Sequence, residues 1–144
     1  MGCSVTGVDF SETAVGICRD MYPDGRFLAA DARELPFPDG FFGAAVAIHC
    51  LEHLDEEGLE SALREIKRVL AHPADLYIQV FAEGDFRAEG KKEDVRNGIR
   101  YRYFDEYGLR KALWAWNIVS IETVVETTKF GERRMRIRCV ARSM

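Results

Sequence analysis

The chain has 144 residues, of which 47% are hydrophobic and 31% charged, and its formal net charge of −4 argues against nonspecific nucleic-acid binding. No apolar run approaches the ~18 residues of a membrane span, and the N-terminus lacks the pattern of a secretion signal, so we expect a cytoplasmic protein. The four cysteines are scattered without a C-x-x-C pair, which indicates neither a metal site nor a disulfide framework.

The first thirty residues predict a strand, a helix and a second strand. The short apolar pattern VTGV stops at Asp9. Ser11 is suited to cap a helix, because apolar residues follow it at helical spacing and Glu12 stands in the first turn. Proline and glycine end this helix near residue 25, and residues 26–30 predict a strand that leads to Asp31.

The middle of the chain predicts two further strands and the clearest helix. The loop ARELPFPDGFF leads into residues 44–49, a continuous apolar run typical of a central parallel strand. A helix is expected from Asp55 to Ala71, with acids at its start, basic residues near its end and one apolar face made by Leu59, Leu63, Ile66 and Leu70. Residues 76–81 predict the next strand.

The last third is more polar at first and then regular. The segment AEGDFRAEGKKEDVRNG predicts a mobile loop or lid. The alternating basic and aromatic residues 100–104 either line a pocket or cover a sheet edge. Asp105 is expected to cap a helix that runs through Trp116, and residues 118–126 and 134–141 predict an antiparallel hairpin.

This order of elements predicts an α/β fold with a mostly parallel sheet covered on both faces. The two final strands add an antiparallel hairpin at one edge. We find no internal repeat, low-complexity segment or linker, and we therefore expect residues 1–144 to form a single domain.

Four segments carry a resemblance to a known family: VTGVDFSETAV, FLAADARELPFPDGFFGAAVAIHCLEHL, ALREIKRVL and YFDEYGLRKALWAWNIVSIETV. Together they resemble the class I S-adenosylmethionine-dependent methyltransferases, especially the small-molecule-type subgroup. The second segment is the most specific, because it joins an acid at a strand end to a loop and a strand that ends in LEHL. The resemblance implies a Rossmann-like methyltransferase sheet, S-adenosylmethionine as cofactor, and a small-molecule or macromolecular methyl acceptor that these residues do not identify.

The first strand, glycine-rich loop and first helix of the family have no counterpart in the sequence. We therefore expect an N-terminally incomplete domain, truncated just before the second strand of the family, with weak or lost cofactor binding. The second strand could close directly against the fourth, a second copy could pair across the gap as a homodimer, or the chain could be a fragment. Exposed strand edges would otherwise be unfavourable.

The resemblance also assigns the nucleoside half of a cofactor site. Asp9 would accept hydrogen bonds from the ribose hydroxyls, although it could simply cap the following helix. Phe10 would cover the adenine or belong to the core. Asp31 would accept the adenine amino group and the backbone N–H of Ala32 would meet a ring nitrogen, the alternative for Asp31 being a turn residue bonded to its own backbone. His49 would offer its backbone carbonyl.

Two residues that follow the fourth strand of the family are candidates for catalysis. Methyl transfer needs a general base only when the acceptor must lose a proton, and His53 or Glu52 could serve. The alternative is that Glu52 and His53 cap a turn while neighbouring leucines pack inward.

Three functions remain open from the sequence. The first is a methyltransferase whose activity is in doubt because the glycine-rich loop is absent. The second is a noncatalytic partner or degenerate binding domain with the same fold. The third is a nicotinamide-dependent oxidoreductase, since Asp9 would also suit that ribose, but this leaves Asp31, the LEHL segment and the final hairpin unexplained.

Overall fold

The computed structural model describes residues 2–144. It contains an alternating series of strands and helices, followed by a strand pair, a third helix and two long strands. In chain order these are β1 Thr6–Asp9, α1 Glu12–Met21, β2 Arg26–Ala29, β3 Phe42–Ile48, α2 Glu56–Val69, β4 Leu70–Phe81, β5 Glu93–Arg96, β6 Ile99–Arg102, α3 Glu106–Ala112, β7 Asn117–Thr127 and β8 Arg133–Ser143.

The strands form a Rossmann-like arrangement in three groups. β1 and β2 are a parallel pair, and β3, β4, β8 and β7 form a four-stranded sheet in that order. Within the larger sheet β3 and β4 are parallel, whereas β8 runs antiparallel to both of its neighbours. β5 and β6 make a separate antiparallel pair. The predicted parallel order and the C-terminal antiparallel hairpin are confirmed.

Helix starts follow the predicted capping chemistry. The Ser11 hydroxyl accepts a hydrogen bond from the backbone N–H of Ala14 at 3.2 Å, and α1 begins at the next residue. The Asp55 carboxylate accepts one from the N–H of Gly58 at 2.7 Å and caps α2. In both helices these side chains satisfy donors that the first turn leaves free.

Three predicted segments differ from the structure. α2 ends at Val69 and not at Ala71, and β4 begins at Leu70, six residues before the predicted strand. The segment after β4 is not an unstructured lid, because it contains a short 3₁₀ turn at Phe86–Ala88 and then the β5–β6 hairpin. The helix after Asp105 ends at Ala112 and does not reach Trp116. Its last turn opens at Leu113, and the backbone N–H of Trp116 donates to the carbonyl of Leu113 instead.

The gap expected between two strands of the sheet is present. β1 pairs only with β2, and β3 pairs only with β4. The expectation that β1 closes directly against β3 is therefore wrong for the residues described. Each of the two strands keeps one edge without a partner strand, and the smaller pair lies apart from the larger sheet.

The hydrophobic core belongs to the larger sheet. α2 and α3 pack on one face of it, and the buried cluster includes Leu59, Leu63, Leu76, Ile78, Val80, Leu109, Ile137 and Cys139. Among the residues described before Phe42, only Val15 is a buried hydrophobic residue. None of the described helices is long and apolar enough to cross a membrane.

Candidate active site

Two acids meet at one edge of the parallel strands. Asp9 is the last residue of β1, and Asp31 follows β2 by two residues. The strands are parallel, and the backbone N–H of Ala30 donates to the carbonyl of Asp9 at 2.9 Å. The carboxyl ends of both strands therefore open at the same side, which is where α/β sheets bind ligands.

Asp9 is exposed and only partly engaged. One of its oxygens accepts a hydrogen bond from the backbone N–H of Ser11 at 2.8 Å, and the second has no partner among the described residues. Phe10 is 79% exposed, so the core interpretation of Phe10 is wrong. An aromatic face beside an available carboxylate oxygen suits a nucleoside.

Asp31 is held by a residue that the sequence analysis did not consider. The guanidinium of Arg33 donates to both of its oxygens at 2.6 to 3.0 Å, and the Arg33 backbone N–H donates to one of them at 2.9 Å. These contacts hold the pKa of Asp31 below its usual value. A carboxylate has about four lone-pair positions, and the four contacts from Arg33 use them, so a ligand that binds Asp31 would replace part of the Arg33 contact.

The residues after β3 form a polar network at the adjacent strand end. His49 has a left-handed backbone, with φ of 50°. Its Nδ1 lies 2.7 Å from Oε2 of Glu52, and its Nε2 lies 3.1 Å from the amide nitrogen of Gln79. Because the amide donates and a carboxylate accepts, Nδ1 donates to Glu52 and Nε2 accepts from Gln79. The ring also stacks on Phe81, with centroids 4.1 Å apart.

Glu52 is fully buried beneath this network. Its Oε2 accepts a second hydrogen bond from the backbone N–H of Phe81 at 3.1 Å, while Oε1 is buried without a partner among the described residues. The prediction that Leu51 packs inward is confirmed, since it is also fully buried. Glu52 thus ties the turn after β3 to the end of β4, and its carboxylate is not open to solvent.

His53 faces the β5–β6 hairpin instead. Its Nδ1 lies 2.9 Å from the carbonyl oxygen of Arg100, and its ring meets Tyr101 edge-on at 4.9 Å. A carbonyl only accepts, so Nδ1 donates this hydrogen bond, and Nε2 has no hydrogen-bond partner among the described residues. Residues 99–102 form β6, which pairs only with β5 among the described residues, and Arg102, Tyr103 and Phe104 line a surface pocket beside α3.

Cys50 lies in the turn between β3 and Glu52. The pKa of its thiol is raised to about 11, first by desolvation and then by the negative charges of Glu52 and Asp9.

Three side chains near His49 were not predicted from the sequence as members of the site. Phe81 lies between His49 and the guanidinium of Arg87, which is 5.2 Å from its ring centroid, and Gln79 orients His49. A polar Gln within an otherwise apolar strand pattern was the available signal for Gln79. Arg87 has no such signal, because it lies in the segment for which the sequence predicts a mobile loop or lid.

Comparison with families and curated proteins agrees with this geometry. A family model described as a methyltransferase domain matches residues 1–78. The demethylmenaquinone methyltransferase of Thermus thermophilus is 37% identical over 84 residues, which is 56% of this chain and 37% of that protein. The matches cover between 17% and 37% of the length of the first curated relatives.

Solved structures share the fold over nearly the whole chain. An S-adenosylmethionine-dependent methyltransferase from Methanosarcina mazei has a TM-score of 0.83 at 19% identity, covering 97% of this chain and 82% of that one. The 1,6-didemethyltoxoflavin-N1-methyltransferase of Burkholderia thailandensis, solved with bound 1,6-didemethyltoxoflavin and S-adenosylhomocysteine, has a TM-score of 0.77 at 21% identity. Its match covers 99% of this chain and 62% of that one.

Proposed function

The chain belongs to the methyltransferase domain family, the class I S-adenosylmethionine-dependent methyltransferases, and we propose that it binds this cofactor at the strand ends and transfers a methyl group. The observation that carries the proposal is the pair of acids at the ends of adjacent parallel strands, with exposed Phe10 beside Asp9.

The nucleoside half of the cofactor fits the residues present. The free oxygen of Asp9 would accept from the ribose hydroxyls, and the ring of Phe10 would cover the adenine. Asp31 would share its carboxylate between the adenine amino group and Arg33, and the backbone N–H of Ala32 has no partner among the described residues. Residues 2–144 contain no glycine-rich turn between a strand end and a helix start to hold the methionine half.

When bound, S-adenosylmethionine supplies an electrophilic methyl group on a sulfonium. The remaining contribution of the protein is to position the acceptor and exclude water, since alignment supplies much of the rate of such a displacement. His53 would take a proton at Nε2 from an acceptor that must lose one, because Nδ1 is committed to the Arg100 carbonyl. Glu52 acts as a positioning residue through His49, because it is buried beneath the network.

A noncatalytic domain is the alternative that one observation favours. β1 and β3 each keep an unpaired edge, which suits a domain that associates with another polypeptide. Such a domain would keep the fold and lose affinity for the cofactor. The absence of two or three backbone contacts to the methionine half would cost ~100–1,000-fold in affinity.

Calorimetric titration with S-adenosylhomocysteine separates these functions. We expect saturable binding that weakens at least about tenfold in Asp9→Ala, because a charge-assisted hydrogen bond contributes ~1.5–3 kcal/mol. Asp20→Ala is the matched control, since Asp20 is an exposed acid of α1 in the same strand–helix–strand unit. Helix content by circular dichroism checks that the loss of the Ser11 contact has not unfolded α1.

Equal affinities of the two variants would contradict the assignment of Asp9 to the ribose. The absence of binding up to millimolar ligand, with the fold intact, would contradict cofactor binding and favour the noncatalytic domain. If the chain binds the cofactor, an acceptor screen follows. In that screen His53→Asn tests the proposed base, because the Asn amide can still donate to the carbonyl of Arg100 but has no basic nitrogen.

A further inference from the structure

Arg33 holds the carboxylate that the adenine of the cofactor would need. Its four contacts with Asp31 fall two on each carboxylate oxygen, at 2.6 to 3.0 Å. They use the lone-pair positions that would accept from the adenine amino group. Asp31 cannot accept fully from both donors, so the guanidinium of Arg33 and the nucleoside compete for the same side chain.

The guanidinium of Arg33 can move without its backbone. The side chain is 52% exposed, and the described residues give its nitrogens no hydrogen-bond partner other than Asp31. The backbone around it is held, because the carbonyl of Asp31 accepts from the N–H of Glu34 at 3.0 Å and Leu35 is tied to α2. A movement of Arg33 therefore needs only rotation about side-chain bonds.

A second carboxylate lies within reach of the same guanidinium. A Cβ added to Gly58 would lie 3.4 Å from Cδ of Arg33 and 2.9 Å from Oδ1 of Asp55. Both atoms are thus within 3.4 Å of one point. A guanidinium and one hydrogen bond can span such a separation, so Arg33 can pair with either Asp31 or Asp55.

Asp55 has an oxygen with which to receive the guanidinium. Its Oδ1 accepts from the N–H of Gly58 at 2.7 Å and caps α2, whereas its Oδ2 has no partner among the described residues. Arg33 could pair with Asp55 without breaking the cap. A cation at a helix N-terminus opposes the helix dipole, so Asp55 is the weaker of the two partners. This agrees with the position of Arg33 on Asp31.

We propose that Arg33 regulates the nucleoside site by exchange: its guanidinium leaves Asp31 when the adenine amino group binds there, and pairs with Asp55 instead. The backbone N–H of Arg33 keeps its own contact with Asp31, so the carboxylate stays oriented. Arg33 thereby lowers the affinity for the cofactor. The inference rests on the proposed function, because it concerns the same nucleoside site.

Calorimetric titration of Arg33→Met with S-adenosylhomocysteine tests the competition. Methionine keeps a stem beside Gly58 and removes the donors. We expect the variant to bind at least about threefold more tightly than the native chain at low salt. The difference should shrink as sodium chloride is added, because salt screens an exposed ion pair. Arg64→Met is the control, since Arg64 is an exposed arginine of α2 that contacts only Ser61 among the described residues.

Asp55→Asn tests where the guanidinium goes. Asparagine still caps α2 but has no charge to pair with Arg33. We expect about threefold weaker binding of S-adenosylhomocysteine when Asp55→Asn is added to the native chain, and no change when it is added to Arg33→Met. Equal weakening in both backgrounds would contradict the exchange, because Asp55 would then act without Arg33.

The other outcomes separate the exchange from the proposed function. Saturable binding that is equal or weaker in Arg33→Met would overturn the exchange and leave cofactor binding in place. The same gain in Arg64→Met would also overturn it, because the effect would then come from net charge alone. No binding by any of these proteins up to millimolar ligand, with the fold intact by circular dichroism, would overturn cofactor binding and the exchange together.

Discussion

The acids at the strand ends differ in how deeply they are buried. Asp9 is exposed and keeps one oxygen without a partner among the described residues. Asp31 is partly buried, and Arg33 contacts both of its oxygens. Glu52 is fully buried, and both of its contacts are to groups that fix the strand ends. These environments agree with the proposal that Asp9 and Asp31 contact the cofactor and that Glu52 only positions His49.

We expect Glu52→Gln to lower the free energy of unfolding by ~1–3 kcal/mol. Both hydrogen bonds fall on Oε2, so the amide oxygen would take its place and still accept from Phe81 and His49, without the charge. The NH₂ group would take the place of Oε1 and become a buried donor without an acceptor. Gln79 would still donate to Nε2, so the His49 tautomer should stay the same. Urea denaturation gives the stability, and ¹⁵N chemical shifts of the imidazole report the tautomer.

Glu57→Gln is the control for this substitution, because Glu57 is an exposed residue in the first turn of α2. It should change neither the His49 tautomer nor the stability by more than about 0.5 kcal/mol. A changed tautomer in Glu52→Gln would contradict the network drawn from His49 to Gln79.

Cys50 should react slowly with alkylating reagents despite reaching the surface. Its thiol pKa is about 11, so at pH 8 its thiolate fraction is about 100-fold below that of an ordinary thiol. The rate of alkylation by iodoacetamide, followed by mass spectrometry at a series of pH values, would give the midpoint of the thiol titration. Asp9→Asn should move that midpoint to lower pH, because the charge of Asp9 contributes to the raised pKa. A midpoint near 8.5 in the native chain would contradict this environment.

At the scale of elements, one ion pair anchors the long loop before β3. Arg68 of α2 donates to the carbonyls of Leu35 and Phe37, and its guanidinium also pairs with Glu65 at 2.7 Å. The Glu65 carboxylate in turn accepts from the backbone N–H of Leu35 at 2.8 Å. The loop that follows Asp31 is therefore fixed to α2, which also orients Asp31 and Arg33.

Glu65→Gln should destabilise the chain by ~1–2 kcal/mol at pH 7, because the contacts of Glu65 with Arg68 and Leu35 are charge-assisted. These contacts hold the pKa of Glu65 below its usual value of 4.5. Their stabilisation is present above that value and is lost as the pH falls through the lower folded pKa. The free energies of unfolding of the native chain and of Glu65→Gln, measured between pH 7 and 3, should therefore become equal as the pH falls.

Glu60→Gln on the exposed side of the same helix should follow the native curve throughout. If the free energies of unfolding of the native chain and of Glu65→Gln differed by the same amount at every pH, the charge of the carboxylate would contribute nothing to stability. The difference would then come from side-chain shape alone.

Elements with strong local signals were predictable, and those that depend on distant contacts were less so. The caps at Ser11 and Asp55 act within three residues, so the starts of α1 and α2 follow from the sequence. Asn97-Gly98 is also a local signal, typical of a two-residue hairpin turn with positive φ at both positions. The structure has φ of 51° and 76° there. The many charged residues around this turn favour the prediction of a loop, and the hairpin is therefore not predicted.

The limits of prediction in the site have the same cause. The strand ends that carry Asp9 and Asp31 follow from local pattern, and the structure places both at one edge. The pairing of His49 with Gln79 joins residues thirty positions apart, and the contact of His53 with Arg100 joins residues 47 apart. Contacts of this kind depend on how the strands and the hairpin meet, which a single sequence does not specify.

At the scale of the whole molecule, stability is unevenly distributed. The buried cluster draws its members from Ala47 onwards. The unit of β1, α1 and β2 holds one buried hydrophobic residue, Val15, and exposes Val8, Ile17 and Leu28. Its link to the rest of the domain runs through the loop fixed by Arg68. Local opening is easiest where few apolar contacts are buried.

We therefore expect residues 6–29 to open well below the global unfolding transition. Hydrogen exchange followed by mass spectrometry should show amides of β1 and β2 at least about 100-fold less protected than those of β4 and β8, because the core strands exchange only with global unfolding. S-adenosylhomocysteine should raise protection in β1 and β2 selectively if Asp9 and Asp31 hold it, since a ligand stabilises the state that it binds. Equal protection across the two strand groups would mean that they unfold as one cooperative body, and the gap between β1 and β3 would then be no boundary of stability.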